Sequence, residues 1–586
     1  MRQRIIRKVI GLTLLAASSS VTWSQRIGPD GAAQTFNTIA EQYFGDVYFH
    51  FQPVAATSAG VHQYDTQMPD WSSANVARWT AALKSYLARV EAVPADGLDA
   101  GVAADRLILL NSIRSSLLSL ESIRMWQKDP DMYSGAVTNS VFVLMERPFA
   151  PVNTRLRAVI SRENAVGRLL ADARRNLQNP PKIYTGIALE QIGGEISFFQ
   201  HDVPLAFADA SDSAAKAEFA KSNAAVVQEL QSYAAWLKSE LLPRSGGDFR
   251  FGTDTYRKKL LYDEMVDTPL DRLLAINDAN MKANQAEFAR IAKELDSSKT
   301  PTEVLAQLAT IHPAPDKLLD AFRDSFQAQI AFIQQHRIVT LPSSERPVLE
   351  ETPPFMRATT SASMDPPGPF ETGSTRAYFN VTLPEKGWTP EHIAEHMAEF
   401  NVGTIVSTSV HEAFPGHFVQ FLWQAQFPSK VRKLLGASTN IEGWAHYCEQ
   451  MMLDEGYVPP GADAREQKLI RLGQLQDALL RNARFVVGIK MHTEGWTIEQ
   501  AEQFFVNEGY QSPSVASMET KRGTSDATYL YYTLGKLEIL KLRDDVKRKQ
   551  ATAFSLGRFH DDLMRQGPAP IAVIRKTMLG DASPVL

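Results

Sequence analysis

The stretch carrying the most chemistry is His411-Glu412-Ala413-Phe414-Pro415-Gly416-His417. Two histidines with a glutamate beside the first supply two neutral nitrogen ligands and a general base, the donor set of helical zinc hydrolases. In the usual form of that motif the histidines stand four apart and share one helix face. Here they stand six apart. At about 100° per residue, six steps leave them about 120° apart around an ideal helix, so a regular helix cannot aim both at one ion. Pro415 and Gly416 remove the obstacle. Proline inside a helix loses a hydrogen bond and clashes with the carbonyl four residues back, that of His411, and glycine accepts the torsions that follow. The helix must bulge or break between the histidines, and either turns His417 back toward His411. The alternative is two incidental histidines, one helix ending at Phe414 and another starting at Pro415.

A third donor follows. Ser438-Thr439-Asn440 can cap a helix running through Ile441 to Glu449, which puts Glu442 in its first turn. The spacing from His417 leaves room for one helix, a turn and a second helix packed on the first, and Gly443 permits close approach. Two histidines and one carboxylate leave a fourth zinc position open, as catalysis requires. An acid at a helix N-terminus is also favourable on electrostatic grounds alone. A rival zinc signature lies upstream, where His392-Ile393-Ala394-Glu395-His396 fits H-x-x-E-H. It occupies the first two turns of a helix opened by Thr389-Pro390, for which a charged helix start is a sufficient explanation.

The elements that must position these residues are mainly α-helical. Apolar residues recur at three and four positions over 35–90, 101–124, 152–177, 213–242, 269–294 and 298–335, and again from Thr389 almost to the end. Asn179-Pro180-Pro181 and Ser245-Gly246-Gly247 separate such runs. Between Leu341 and Pro384 the chain turns rich in Pro, Thr and Ser, and Arg376 to Leu383 alternates like a β-strand. The expected organisation is a helical lobe over about 26–340, an irregular, partly β insert over 341–388 and a second helical lobe over 389–586. The 586 residues exceed what one core usually holds, so a cleft between lobes is expected. A net charge of −5 with interspersed signs gives no reason to expect nucleic acid as a partner.

Residues 1–25 read as a bacterial export signal. Arg2, Arg4, Arg7 and Lys8 precede a short apolar run from Val9 to Ala17, and Thr22 and Ser24 fit the small positions of a cleavage site. The run is far shorter than the roughly 20 residues a membrane span needs. This points to a periplasmic or secreted protein, an uncleaved anchor being the alternative. Cys448 is the only cysteine, which excludes an internal disulfide and suggests a buried structural thiol.

At the motifs just described the sequence resembles the bacterial family catalogued as domain of unknown function 885, whose hallmark is similar to H-E-A-[FY]-P-G-H followed by E-G-W-A-x-Y. Both stand here, at His411 to His417 and Glu442 to Tyr447. The likeness extends to Pro53–Asp65, Met491-His492-Thr493, Lys521–Thr524, Tyr529–Gly535 and Phe559-His560. Members look like helical, two-lobed zincin-like peptidases akin to the thimet-oligopeptidase and Taq-type carboxypeptidase group. The resemblance implies one Zn2+ held by His411, His417 and Glu442, with Glu412 as base, and draws attention to Arg484, His492, Arg522, Tyr529 and Tyr532.

The chemistry so implied is peptide hydrolysis by a zinc-activated water with Glu412 shuttling its proton. Tyr532, Tyr529 and His492 are candidate oxyanion donors, in that order, each also explicable as a buried structural side chain. Arg484 or Arg522 could clamp a substrate carboxylate, with structural salt bridges as the competing explanation. The strand 376–383 could lend its edge to an extended peptide, with Tyr378 and Asn380 in contact. Two other classes stay open: a zinc hydrolase of a non-peptide amide or ester, and a catalytically silent periplasmic peptide- or metal-binding protein. The intact Glu412 argues against silence.

Overall fold

Prolines and small polar residues set where the long apolar-periodic runs break. The computed structural model describes residues 29–353, 356–357 and 360–586; the export-signal segment 1–25 lies outside the described residues. Helices make up 70% of the described residues and strands 2%. The run over 298–335 is two helices, Pro301–Leu308 and Leu318–His336, because Pro313 and Pro315 cannot continue the first. The run over 152–177 likewise divides into Val152–Glu163 and Val166–Asn176. Ser213–Trp236 is continuous, with Asp212 accepting from the amide of Ala215 as its cap. No helix among the described residues is long and apolar enough to cross a membrane.

The insert holds a three-stranded sheet: β1 (Val348–Glu351), β2 (Ala362–Asp365) and β3 (Tyr378–Val381), in the order β1-β3-β2. β3 runs parallel to β1, with Val348 opposite Tyr378, and antiparallel to β2, with Asp365 opposite Tyr378. The strand expected over 376–383 is therefore the central one. Paired on both sides and buried along its length, it has no edge to lend. Tyr378 is spent structurally, its hydroxyl donating to the carbonyl of Glu146 at 3.2 Å, and Asn380 is buried. The free edges belong to β1 and β2.

The hydrophobic cores cut across the expected division near residue 340. One core joins residues from Ala32 to Leu120 with residues from Leu318 to Val585. The buried pair of Arg432 Nε and Asp105 Oδ1, at 2.6 Å, ties the Ala100–Leu118 helix to the Lys430–Leu434 helix across that core. A second core lies within Met68 to Leu241 and belongs to helices such as Asp131–Met145 and Lys182–Ser197.

Four helices frame the site: Val402–Glu412, Ser438–Asp454, Ala464–Thr493 and Tyr531–Gln550. Two glycine pairs set how closely they cross. A Cβ on Gly403 would lie 2.9 Å from the Cα of Gly473, and a Cβ on Gly535 would lie 1.8 Å from the carbonyl oxygen of Thr439, beside Gly443. Backbone packs directly on backbone at both crossings, so the side chains one or two turns further along converge.

Candidate metal centre

The His411 helix starts at Asn401, whose side chain accepts from the amides of Gly403 and Thr404, and ends at Glu412. Helix resumes at His417. The break expected between the histidines is present, and the boundary of the alternative, a helix ending at Phe414 and another starting at Pro415, is not the one observed. The Phe414–Pro415 peptide is cis. The amide of Gly416 folds back to the carbonyl of Val410 at 3.0 Å, and a Cβ at 416 would sit 1.8 Å from the oxygen of His411. Only glycine fits that turn. Trp444 Nε1 donates to the carbonyl of Pro415 at 2.9 Å, pinning the turn to the Glu442 helix.

The imidazoles of His411 and His417 thus meet at right angles, their centroids 4.8 Å apart. His411 Nε2 lies 3.4 Å and His417 Nε2 3.3 Å from the same oxygen, Oε2 of Glu442. The three ligand atoms lie within 4.8 Å of one another, and among the described residues no other group of three His, Cys, Asp or Glu could hold a metal. Glu442 Oε2 is buried and accepts no hydrogen bond, although two ring nitrogens face it. A divalent cation bonded to all three atoms satisfies that oxygen, so the donor set fits a zinc-type ion. The rival pair does not assemble a site. His396 Nε2 is bonded to the carbonyl of Thr382 at 2.8 Å, and His392 stacks on Trp388.

Ser438, Thr439 and Asn440 do not cap the Glu442 helix. Helix begins at Ser438 itself, and the cap comes from far upstream. Glu264 accepts from the amides of Ser438 and Thr439, at 3.3 and 2.8 Å, and from the Thr439 hydroxyl at 2.7 Å. Burial pushes this carboxyl up to about 7.

Glu449 is the residue that motif reasoning missed. Its side chain is fully buried and receives His411 Nδ1 at 2.7 Å, His446 Nδ1 at 3.0 Å and Arg481 at 3.1 Å. A histidine whose Nδ1–H is held by a carboxylate presents the Nε2 lone pair to a metal, which fixes both tautomer and ring orientation. Glu449 stands seven residues after Glu442, two turns along the same helix face, and that spacing was the available signal. His446 is held by Glu449 in the same way but is not among the donors that converge, which are His411, His417 and Glu442.

Burial opposes the charge on Glu442 and Glu449, yet both are held well below the usual carboxylate range. For Glu442 the two imidazoles do this; for Glu449 it is Arg481, His446 and His411. Glu412 differs. Burial raises its carboxyl above the ordinary value, against the pull of His411 and His417. A glutamate raised in this direction beside a candidate metal centre is better able to take up a proton than an exposed one.

A cavity of about 760 Å³ opens over the centre, and His411, Glu412, Arg484, Arg522 and Tyr532 line it together with Ser361 beside β2. The Tyr532 ring lies 6.3 Å from that of His411. Its hydroxyl accepts from Arg522 at 3.0 Å, which leaves its own proton free to donate. Arg484 is committed to a buried two-pronged pair with Glu519 at 2.6 and 2.7 Å, and Arg522 to Asp526 at 3.1 Å. Both arginines therefore have the structural salt bridges that competed with the clamp reading. Tyr529 and His492 do not line the cavity. Tyr529 is buried against Gly488 and Gly523. His492 receives the amide of Phe251 at Nδ1 and faces the carbonyl of Gly523 with Nε2 at 2.9 Å, so neither nitrogen is free.

Residues 53–578 match the family described as bacterial protein of unknown function, DUF885. A solved structure from Shewanella oneidensis, provisionally described as a lipoprotein of unknown function, is 26% identical, with a TM-score of 0.75 over 94% of this chain and 99% of that one. A second, from Colwellia psychrerythraea and also provisionally described as a lipoprotein, shares the fold at 17% identity, with a TM-score of 0.71 over 94% of this chain and 99% of that one. Among curated proteins nothing matches. The chain belongs to the bacterial DUF885 family, whose function is unknown.

Proposed function

We propose that the protein is an exported hydrolase that uses one zinc-type ion, held by His411, His417 and Glu442, to cleave peptide bonds. The observation that carries this reading is the convergence of two imidazole Nε2 atoms on one orphaned, buried carboxylate oxygen, with Glu412 adjacent and a large cavity overhead. A zincin-like relationship to helical zinc peptidases is part of the same proposal.

The ion, when bound, supplies the Lewis acidity that lowers the pKa of a coordinated water toward about 7. The rest is the work of the chain. Glu449 holds His411 with Nε2 facing inward. Glu412 takes a proton from the attacking water and returns it to the departing amine, a role worth roughly 10²–10⁴ in rate. Tyr532, its oxygen already receiving Arg522, donates its proton to the oxyanion of the tetrahedral intermediate. β2 carries a strand on one side only, and the residues at its start line the cavity, which supports an extended substrate added along its other edge.

The apolar run and basic head within residues 1–25, together with two structural relatives provisionally described as lipoproteins, support a secreted or envelope-associated location.

The test is Glu412→Gln, incubated with a digested peptide mixture and followed by mass spectrometry. This variant is expected to keep its metal and lose cleavage. Cleavage at the parent rate would overturn the assignment.

A further inference from the structure

Behind Arg522 lies a second cavity, of about 310 Å³, lined among others by Asp129, Asp131, Tyr184, Gln191 and Lys521. Arg522 lines both this cavity and the cleft over the metal centre, so the two adjoin.

Its charge is unbalanced. Lys521 is paired with Glu190 at 2.8 Å and Arg522 with Asp526 at 3.1 Å. Asp129, Asp131 and the neighbouring Glu195 have no ion-pair partner among the described residues. Asp129 accepts from the amide of Asp131, and Asp131 Oδ2 from Gln191 Nε2, both at 3.0 Å. Asp131 Oδ1 is buried with no hydrogen-bond partner, while Glu195, only 3% exposed, has the Ser134 hydroxyl beside it. The two carboxylates flank Gly135, where a Cβ would lie 3.9 Å from Glu195 Oε1 and 4.0 Å from Asp131 Oδ2. The N-terminus of the Asp131–Met145 helix accounts for one acid, since Asp129 bonds its first amide. It does not account for Glu195, which sits on the Lys182–Ser197 helix. Burial pushes Asp129 up to about 7 and Asp131 up to about 6, the response of carboxyls that lack a positive neighbour.

We propose that this cavity is a substrate subsite for a cationic group, an ammonium or guanidinium carried by the same peptide whose amide bond lies at the metal centre. The acids do not form a metal-holding cluster, which among the described residues only His411, His417 and Glu442 do. A side chain entering from the cleft past Arg522 brings its own reach and delivers one charge to the orphaned oxygen of Asp131, with Asp129 lining the same cavity. The inference rests on the peptidase reading for its substrate, and its test separates the two.

Acetylated octapeptides with lysine or norleucine scanned through each position, and one norleucine peptide with a free amino terminus, are compared on the metal-loaded enzyme for kcat/KM. Their binding to the metal-loaded Glu412→Gln protein is measured by calorimetry. Lysine at one position is expected to improve binding and kcat/KM at least tenfold over norleucine, and Asp131→Asn to shrink that ratio to twofold or less. If the free amino terminus gives the gain instead, the cation is the α-ammonium and the subsite stands. Charge-dependent binding without cleavage supports the subsite and refutes the peptidase reading. Cleavage with no preference for charge refutes the subsite alone, and neither binding nor cleavage refutes both. Loss of the preference in 1 mM Ca2+ would identify a metal site and overturn the proposal. The lysine–norleucine comparison on the parent protein needs no variant, so poor folding of Asp131→Asn does not leave the question open.

Discussion

Replacing Glu449 by glutamine is the perturbation whose consequence the geometry fixes most fully. The carboxylate takes three donors without touching solvent: His411 Nδ1 at 2.7 Å, His446 Nδ1 at 3.0 Å and Arg481 at 3.1 Å. Oε1 serves His411 and Arg481, and Oε2 serves His446. Glutamine keeps the volume but offers one oxygen and one NH2 group. With its oxygen toward His411, the NH2 group meets the ring nitrogen of His446 and Arg481 keeps only Asp477, at 3.7 Å, as counter-charge. Turned the other way, the NH2 group faces His411 Nδ1, which then must accept, and the ring proton moves to Nε2, the atom meant for the metal. Both outcomes weaken the centre. Loss of such a ligand-orienting carboxylate costs about 10–100-fold in metal affinity, or about 1.4–2.7 kcal/mol. Weaker pairing of the buried Arg481, which keeps Asp477 at 3.7 Å, adds destabilisation of the metal-free protein short of the roughly 3–5 kcal/mol that a fully unpaired buried charge costs. Competition with a chromogenic chelator measures the first quantity and thermal melting the second. A folded Glu449→Gln protein holding zinc within twofold of the parent affinity would refute the argument that this carboxylate orients His411.

Tyr532→Phe removes the hydroxyl facing the cleft and leaves the ligands untouched; kcat is expected to fall by about 10²–10³ with metal content unchanged, and equal kcat would remove Tyr532 from the chemistry. Gly535→Ala puts a Cβ 1.8 Å from the Thr439 carbonyl oxygen, so the Glu442 helix must shift; melting should show at least 1–3 kcal/mol lost together with weaker metal binding, and an unchanged melting temperature would contradict the crossing. His560 is buried neutral, bonded to the Ile338 carbonyl at 2.6 Å and the Tyr447 hydroxyl at 2.9 Å, and burial pushes it down to about 4. The unfolded chain takes up this proton near pH 6.5 and the folded one does not, so stability is complete above pH 6.5 and falls by about 3 kcal/mol as pH drops to 4. His560→Gln should flatten the melting temperature against pH over that window, and an unchanged slope would exclude His560 as a source of the acid sensitivity.

What could be read from residue order alone was whatever depends on near neighbours. Pro415 and Gly416 announce a broken helix because their constraints act within one turn, and the break is there. The helical runs were legible by period, although Pro313 and Pro315 divide one of them. Contributions from distant chain were not legible. The cap of the Glu442 helix comes from Glu264, whose role no local pattern reveals, while the expected caps at 438–440 became helix. β2 reads Ala-Ser-Met-Asp, with no β-branched residue, and exists because β3 pairs with it, so the free edge fell to a strand that propensity does not mark. His492 and Tyr529 were attractive by residue type. Type does not say whether polar atoms are already satisfied, and in His492 both ring nitrogens are.

The most direct test of the whole account is anomalous X-ray scattering from crystals of the purified, zinc-loaded protein. One zinc per chain is expected, at about 2.0–2.2 Å from His411 Nε2, His417 Nε2 and Glu442 Oε2, with an open coordination position toward the cleft beside Glu412. A protein that binds no metal under these conditions, or binds it away from these three atoms, would contradict the account.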